Sequence, residues 1–497
     1  MELFGQTLSF ADMIFLLLAL GLALSFEFVN GFHDTANAVA TVIYTNTLKP
    51  WMAVVWSGCW NLIGVLTSTG AVAFGIIALL PVELVIHVGS AAGFAMVFSL
   101  LISAIIWNVG TWYLGLPASS SHTLIGSIMG VGLANSLMAK GHSFGAGINW
   151  AKAKDVGMAL LLSPLIGFVF AGLLLLLAKA LIKNKSLFEA PKDKKAPPFW
   201  IRALLMLTCT GVSFAHGSND GQKGMGLIML ILIGIVPATF AVDLSTSQQA
   251  IQDLAATTQT ISFQMDKHAP GSAMAGLDVA EQHISDYLKP SGKADPDTFA
   301  AVGTKCREIS AELSGKASLN DLTGDQRSAL RNDLYLVSES LGKFGKQGLL
   351  TDPDEKKAAG DLKKHIDKLT KFIPVWVKIA VALALGFGTM IGWKRIVVTV
   401  GEKIGKSHLT YAQGASAELV AMATIEAADQ LGLPVSTTHV LSSGIAGTMA
   451  ANGSGLQAQT LRNILLAWVL TLPVCVLLGA TLFAFTLNIA LNFAGAK

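Results

Sequence analysis

A heptapeptide that occurs twice indicates the fold of this chain. Residues 28–34 read Phe-Val-Asn-Gly-Phe-His-Asp, and residues 214–220 read Phe-Ala-His-Gly-Ser-Asn-Asp. Three positions are identical at an offset of 186: Phe28/Phe214, Gly31/Gly217 and Asp34/Asp220. Two further positions exchange asparagine and histidine: Asn30/His216 and His33/Asn219. Each copy follows an apolar run, so we expect both at membrane depth, where such polar groups are tolerated only inside protein or around a cavity.

A second pair of motifs supports a duplication of the chain. Residues 114–122 read Leu-Gly-Leu-Pro-Ala-Ser-Ser-Ser-His, and residues 431–439 read Leu-Gly-Leu-Pro-Val-Ser-Thr-Thr-His. Six of the nine positions are identical at an offset of 317, and two more exchange Ser for Thr. The two offsets differ by 131 residues, which is the extra length between the motifs of the second half. Two motif pairs in the same order predict two repeats, one carrying an insert.

The composition is that of a membrane protein. Of the 497 residues, 52% are hydrophobic and 13% are charged, against about 25% charged in soluble proteins. The mean hydropathy is +0.57. Long uncharged runs predict a polytopic all-helical protein of the bilayer; they lie at 13–26, 62–82, 88–112, 156–178 and 463–493. The net charge of +3 indicates no nucleic-acid partner, since the basic residues lie mostly in loops.

Hydropathy predicts five spans in each half, so the two repeats should be inverted relative to each other. The predicted spans are 10–30, 52–80, 88–110, 120–139, 156–182, 203–240, 374–393, 410–428, 436–452 and 463–490. Re-entrant hairpins would change this count. The predicted segments are a first repeat over 1–182, a cytoplasmic basic linker over 183–202, the start of the second repeat over 203–242, a polar insert over 243–372 and the remainder over 373–497. The positive-inside rule then places the N-terminus and the insert outside a bacterial inner membrane.

The insert is the only sizeable polar region of the sequence. Helical apolar spacing in 298–313 and 326–341 predicts an extramembrane helical bundle; a gating or partner-binding role is the alternative. Neither a nucleophile–base pair nor a metal-ligand cluster stands out, so we expect neither an enzyme nor a metal site. The four cysteines are scattered without metal-ligand spacing: Cys59, Cys209, Cys306 and Cys475.

The first motif predicts an ion site. Asp34 and Asp220 would be capping or ion-paired residues in a soluble protein, but a carboxylate inside a membrane indicates function. Gly31 and Gly217 are expected to break their helices and free backbone carbonyls. Asn37 follows one helical turn after Asp34 and is expected on the same face. Asn30, His216 and Asn219 complete this set of candidate binding residues.

The second motif predicts an anion site. A proline at a helix start is favourable, and the backbone N–H groups beyond it are unpaired, so hydroxyl groups there complete an anion-binding end. The candidates are Ser119, Ser120, Ser121, Ser436, Thr437 and Thr438. His122 and His439 would donate to the anion or carry protons. The alternative is that these side chains only cap and pack transmembrane helices.

An anion site beside carboxylates needs a cation or a proton to neutralise them, which is the physical basis of symport. We therefore expect a secondary transporter without an organic cofactor. No Walker-type nucleotide loop is present in the sequence, so nothing indicates transport driven by ATP. An anion channel is the alternative from another class, although channels need pore-lining rings or filters.

At these residues the sequence resembles the inorganic phosphate transporter (PiT) family. The resemblance rests on residues 31–38, 116–122, 217–220 and 433–439, and it covers essentially the whole membrane part. In its length and in the place of its insert the chain is similar to the proteobacterial low-affinity phosphate permeases. The resemblance implies uptake of inorganic phosphate coupled to cations, with protons or sodium as coupling ion and divalent metals accompanying phosphate. It also carries over Asp34, Asn37, Asn219, Asp220, the Ser/Thr clusters and Glu418.

Several departures from the family pattern concern groups that could bind sodium. His33 and Asn61 stand where the family usually has Asn and Glu, and Gln222 and Lys223 replace small-residue and Asn positions. They favour protons over sodium as the coupling ion. A sulfate permease on the same scaffold is the nearest rival, and a homo-oligomer is left open.

Overall fold

The computed structural model describes residues 2–3, 6–80, 84, 88–138, 145, 148–191, 195–272, 276–289 and 292–494, and within these it leaves out the side chains of 2–3, 34–37, 152 and 493–494. The membrane part before the insert contains α1 (Phe10–Tyr44), α2 (Pro50–Thr67), α3 (Ala71–Ile77), α4 (Ala91–Tyr113), α5 (Ser120–Met138), α6 (Trp150–Leu181), α7 (Phe199–Ile235) and α8 (Pro237–Phe240). The insert contains α9 (Gln248–Lys267), α10 (Leu277–Leu288), α11 (Pro296–Leu313), α12 (Gly324–Lys346) and α13 (Pro353–Thr370). After it follow α14 (Val375–Glu402), α15 (Tyr411–Gln430), α16 (Thr437–Asn452) and α17 (Ala458–Ala494). Single 3₁₀ turns at Lys185–Phe188 and Leu319–Asp321 and a short hairpin of β1 (Glu2–Leu3) with β2 (Gln6–Thr7) complete the described elements.

In the described part of the chain, six helices are long and apolar enough to cross a bilayer: α1, α4, α6, α7, α14 and α17. The span predicted over 52–80 is not one straight helix, because α2 and α3 meet at a bend of 74°; that the bent pair crosses the bilayer as one span stays a prediction. The bend lies at Gly70, whose positive φ of 87° is a left-handed conformation that other residues adopt only at a cost. The remaining helices α5, α15 and α16 fall below the length and apolarity that identify a span on these grounds alone.

The helices that carry the two heptapeptides are packed in the same way. Helix α1 contacts α14, and α7 contacts α2, while α1 and α7 also contact each other. Helix α5 packs on α17 and α6 packs on α16. Corresponding helices of the two halves therefore make corresponding contacts, as a duplication predicts. The inverted orientation of the halves stays a prediction.

The two glycines of the heptapeptides do not break their helices. Helix α1 is continuous through Gly31 and α7 is continuous through Gly217, so the predicted helix breaks are wrong. Each glycine instead lets a neighbouring backbone come close. A Cβ atom at Gly31 would lie 2.4 Å from the carbonyl oxygen of Leu385 on α14, and one at Gly217 would lie 2.2 Å from that of Asn61 on α2. Small residues commonly allow such close approach between transmembrane helices.

The insert has a hydrophobic core of its own, to which α9 to α13 all contribute. Two arginines of α12 connect it to the segment that follows α7. Arg327 donates to the carbonyl oxygen of Ala238, and Arg331 donates to those of Ala241 at 2.8 Å and Thr370 at 2.9 Å. Burial lowers the pKa of Arg331 to about 10, so this side chain stays charged at neutral pH. The insert is thus attached to the end of a motif-bearing helix.

Candidate functional site

The two serine- and threonine-rich motifs form two helix starts that meet. Helix α5 begins at Ser120 and α16 begins at Thr437, three residues after their prolines. Ser119 Oγ accepts from the backbone N–H of His122 at 3.2 Å, and Ser436 Oγ accepts from that of His439 at 3.1 Å. Both serines are therefore N-caps, which is the structural reading that the sequence left open.

A direct hydrogen bond joins these helix starts. Ser121 Oγ, at the start of α5, donates to the carbonyl oxygen of Val435, just before α16, at 2.7 Å. The rings of His122 and His439 lie 4.7 Å apart, and His439 also stacks on Trp468 at 4.0 Å. Two N-terminal helix ends, each with a partial positive charge, are thus held side by side.

The hydroxyl groups of the two clusters are used unequally. Ser120 Oγ accepts from the Lys223 ammonium at 2.9 Å. Thr437 is buried, and its hydroxyl has no hydrogen-bond partner among the described residues. The same holds for His439 Nε2 and for His122 Nδ1. Thr438 is fully buried beside them. The junction of α5 and α16 therefore holds buried polar groups that can each form a further hydrogen bond.

Asp220 lies at the centre of a buried charge cluster. Its Oδ2 is 2.7 Å from Lys223 Nζ and 3.4 Å from His216 Nε2. His216 Nδ1 in turn lies 2.7 Å from Asn61 Oδ1 on α2. Asp220 and Lys223 are both fully buried, so the carboxylate predicted as an ion ligand is neutralised in part by an ammonium from its own helix.

Glu27 belongs to this cluster and was missed by sequence reasoning. It is fully buried on α1 and accepts from Asn30 Nδ2 at 3.3 Å. A Cβ atom at Gly224 would lie 2.2 Å from Glu27 Cγ, so this carboxyl group packs on the α7 backbone next to Lys223. A signal was available, because a glutamate inside an apolar run is as costly in a membrane as the aspartates that were singled out.

The remaining polar residues of the heptapeptides contact the helix starts or their neighbours. His33 Nε2 lies 2.8 Å from the carbonyl oxygen of Asn108, whose side-chain oxygen accepts from Thr123 on α5 at 3.0 Å. Asn219 Nδ2 donates to the carbonyl oxygen of Leu433 at 3.3 Å. Its buried Oδ1 has no partner among the described residues. The first motif of the second half thus touches the second motif of that half.

Gln222, one of the departures from the family pattern, joins three helices. Its amide group donates to the Asp429 carboxylate on α15 and accepts from the backbone N–H of Val72 on α3 at 2.9 Å. Ser218 donates to the same carboxylate at 2.7 Å. This network orients α7 at the level of the site, and it gives Gln222 a structural role.

The contacts described above do not include three of the predicted site residues. The side chains of Asp34 and Asn37 lie outside the described residues. Glu418 is fully buried and accepts from Thr208, which precedes Asp220 on α7 by twelve residues. At 1.5 Å per residue this is about 18 Å along the helix, so Glu418 makes no hydrogen bond to the cluster around Asp220.

The cluster carries no resident metal ligand set. Among the residues whose side chains are described, no group of three or more His, Cys, Asp and Glu side chains could hold a metal ion. What the arrangement offers is hydrogen-bond donors and a partial positive charge at two helix ends, beside carboxylates and one ammonium. These are groups that bind an oxyanion and a cationic co-substrate.

Comparison with known proteins places this arrangement in a family. The model of the phosphate transporter family matches residues 30–479. The chain is 43% identical to the low-affinity inorganic phosphate transporter PitA of Escherichia coli K12, over 96% of this chain and 97% of that protein. It is 29% identical to a probable low-affinity inorganic phosphate transporter of Bacillus subtilis, over 94% and 95%. Among solved structures, a sodium-dependent phosphate transporter shares the fold with a TM-score of 0.51 at 18% identity, over 95% of this chain and 98% of that one.

Proposed function

The chain belongs to the phosphate transporter family, and from this premise we propose that it imports inorganic phosphate across the bacterial inner membrane by symport with protons. Its curated relatives are low-affinity inorganic phosphate transporters and its family is a transporter family, which supports a multi-pass carrier over an enzyme. The alternatives in coupling ion are sodium, and in substrate sulfate.

The observation that carries the proposal is the junction of α5 and α16. Two helix N-termini are joined there by the Ser121–Val435 hydrogen bond, and the Thr437 hydroxyl lies buried beside them without a partner among the described residues. Unpaired backbone N–H groups, helix dipoles and hydroxyl donors together form an anion site. In this proposal, phosphate oxygens accept from both helix ends.

Phosphate is preferred over sulfate because the neighbouring side chains include acceptors. Asn219 Oδ1 is buried and has no partner among the described residues. The Asp220 carboxylate is also close to the helix starts, because it lies three residues before Lys223, which donates to Ser120. Monohydrogen and dihydrogen phosphate carry O–H donors, and sulfate at neutral pH carries none. A buried acceptor left unpaired by sulfate would cost about 1–3 kcal/mol.

A phosphate dianion needs neutralisation before it shares a buried site with carboxylates. Glu27 and Asp220 are both buried; because Asp220 is already paired with Lys223, a proton on Glu27 reduces the remaining charge at the lowest steric cost. A divalent metal bound to phosphate would do the same from the substrate side, since a neutral complex is easier to take out of water than a dianion. We therefore propose the metal–phosphate complex as the transported form.

Uptake of radiolabelled phosphate into proteoliposomes tests the proposal. A proton gradient and a sodium gradient are imposed separately, each with and without magnesium. We expect at least five-fold accumulation under the proton gradient, further raised by magnesium, and little competition from excess sulfate. Accumulation only with sodium would contradict proton coupling. Competition by sulfate as strong as that by unlabelled phosphate would contradict phosphate as the preferred substrate. Uptake that never raises the internal phosphate concentration above the external one would indicate a channel.

A further inference from the structure

Lys223 is the unusual feature of the site. Its side chain is fully buried at membrane depth. The ammonium group lies 2.7 Å from Asp220 Oδ2 and 2.9 Å from Ser120 Oγ. A buried charge in a membrane span is unfavourable unless it is paired, and such residues commonly mark ion pathways. Lys223 is therefore held in a site built for a cation.

The duplication identifies the residue of the first repeat that corresponds to Lys223. The offset of 186 between the heptapeptides pairs Lys223 with Asn37, just as it pairs Asp220 with Asp34. An asparagine has a side-chain oxygen that coordinates an alkali cation, whereas an ammonium has three donors and no acceptor. The sequence of the first repeat thus has an oxygen-bearing residue at the position where the second repeat has a positive charge.

Carboxylates flank the ammonium from two helices. Asp220 is on the same helix, and Glu27 reaches the α7 backbone at Gly224 from α1. Among the described side chains, His122 on α5 also interacts electrostatically with Lys223, and His216 on α7 lies 3.4 Å from Asp220 Oδ2. The counterpart of Glu27 in the second half is Ser213, whose hydroxyl is engaged with Ser57 at 2.8 Å. Two acidic groups around one lysine form a cation site that is already filled.

We infer that the Lys223 ammonium is a built-in counter-cation, which takes the place of a bound alkali cation beside Asp220. It replaces sodium at this position of the second repeat, and it excludes sodium there by charge and by volume. The inference rests on the proposed function, because it explains how a phosphate carrier with this fold works without sodium at that position. It makes Lys223 a determinant of ion specificity.

The test replaces the ammonium by the side chain found in the other repeat. In the Lys223→Asn protein the Asp220 carboxylate and a new amide oxygen would be open to sodium. We expect proton-driven phosphate uptake to fall at least ten-fold and sodium-driven uptake to rise at least five-fold over the unmodified protein. Lys223→Met, which is neutral but offers no oxygen, should lose proton-driven uptake without gaining the sodium response.

A second measurement does not depend on transport. The apparent Tm of the purified full-length proteins is measured at increasing concentrations of sodium chloride. Potassium chloride at equal ionic strength is the reference. Sodium should raise the apparent Tm of Lys223→Asn by at least 3 °C more than it raises that of the unmodified protein. The matched control is Lys305→Asn in the insert, where a buried lysine also pairs with an aspartate, Asp333, at 2.8 Å. That variant should show no sodium-specific shift.

The outcomes separate this inference from the proposed function. Sodium stabilisation of Lys223→Asn and of the longer Lys223→Gln that is no larger than that of the unmodified protein would overturn the role of Lys223. Proton-driven uptake by Lys223→Asn within two-fold of the unmodified protein would do the same. Failure of the unmodified protein to accumulate phosphate under any gradient would refute the proposed function, and the sodium titration would still decide the inference.

Discussion

Single side chains at the start of α16 differ in what they contribute. Ser436 caps the helix, and such a cap is worth about 1 kcal/mol of stability. Thr437 has a buried hydroxyl without a partner among the described residues, so no described hydrogen bond offsets the free energy of burying it. A group of this kind is expected to bind substrate. Neighbouring hydroxyls at this helix start therefore divide into structural and functional ones.

Replacing Thr437 by valine tests this division, because the change removes the hydroxyl and keeps the shape. We expect KM for phosphate uptake to rise at least five-fold, with an apparent Tm equal to or above that of the unmodified protein. Thr448→Val on the same helix is the matched control. Thr448 is also fully buried, but its hydroxyl donates to the carbonyl oxygen of Ile445 at 2.8 Å. An unchanged KM in Thr437→Val would remove this hydroxyl from the substrate site.

Between helices, the close contacts of α1 with α14 and of α7 with α2 depend on glycines from both partners. Gly388 of α14 lies against the carbonyl oxygen of Phe28, and Gly64 of α2 lies against that of Phe214. These are the phenylalanines that open the two heptapeptides. The same type of contact therefore positions both motif helices, and it explains why the glycine-rich motif can be continuous helix.

Gly388→Ala should disturb this contact, since its Cβ atom would lie 1.8 Å from the Phe28 carbonyl oxygen. Overpacking of this kind costs about 1–3 kcal/mol, so we expect a clear fall in the apparent Tm of the purified protein. Gly386→Ala is the control on the same helix, because nothing lies within 4 Å of its added Cβ atom. That change should leave Tm unchanged or raise it, as alanine favours helices over glycine. Equal Tm values for both variants would contradict the close-packing role.

Side-chain hydrogen bonds connect the insert to the transmembrane part. The insert has its own core, yet α12 reaches the chain segment at the end of α7 through Arg327 and Arg331. Helix α7 is also the helix that carries Asp220 and Lys223. The insert therefore contacts the segment that directly follows the helix carrying the candidate site.

Arg331→Leu should loosen this connection. The loss of charge-assisted hydrogen bonds to Ala241 and Thr370, worth about 1.5–3 kcal/mol each, should speed amide hydrogen exchange of residues 241–243 at least ten-fold in the full-length protein. Arg307→Leu is the control, because Arg307 forms a half-exposed ion pair with Asp266 at 2.9 Å and such pairs contribute about 0–1 kcal/mol. Equal protection of this segment in the two variants would show that Arg331 is not the anchor.

Local features of the sequence indicate the family, the all-helical membrane class and most helix positions. They also place the starts of α5 and α16 near their prolines. These are local properties, since an apolar run, a proline without an N–H group and a repeated motif act on the chain segment that contains them. For the same reason the hydroxyl clusters could be assigned to helix starts before their surroundings were known.

How the site residues contact one another depends on the packing of distant segments. Ser120 and Lys223 are 103 residues apart in the chain, and Glu27 meets α7 through a glycine of the other repeat. The sequence shows that Gly31 and Gly217 lack a Cβ atom, but not whether that freedom serves to unwind a helix or to admit a neighbouring backbone. Both questions depend on which helices pack together, and such contacts between distant segments follow from the packing of the whole chain.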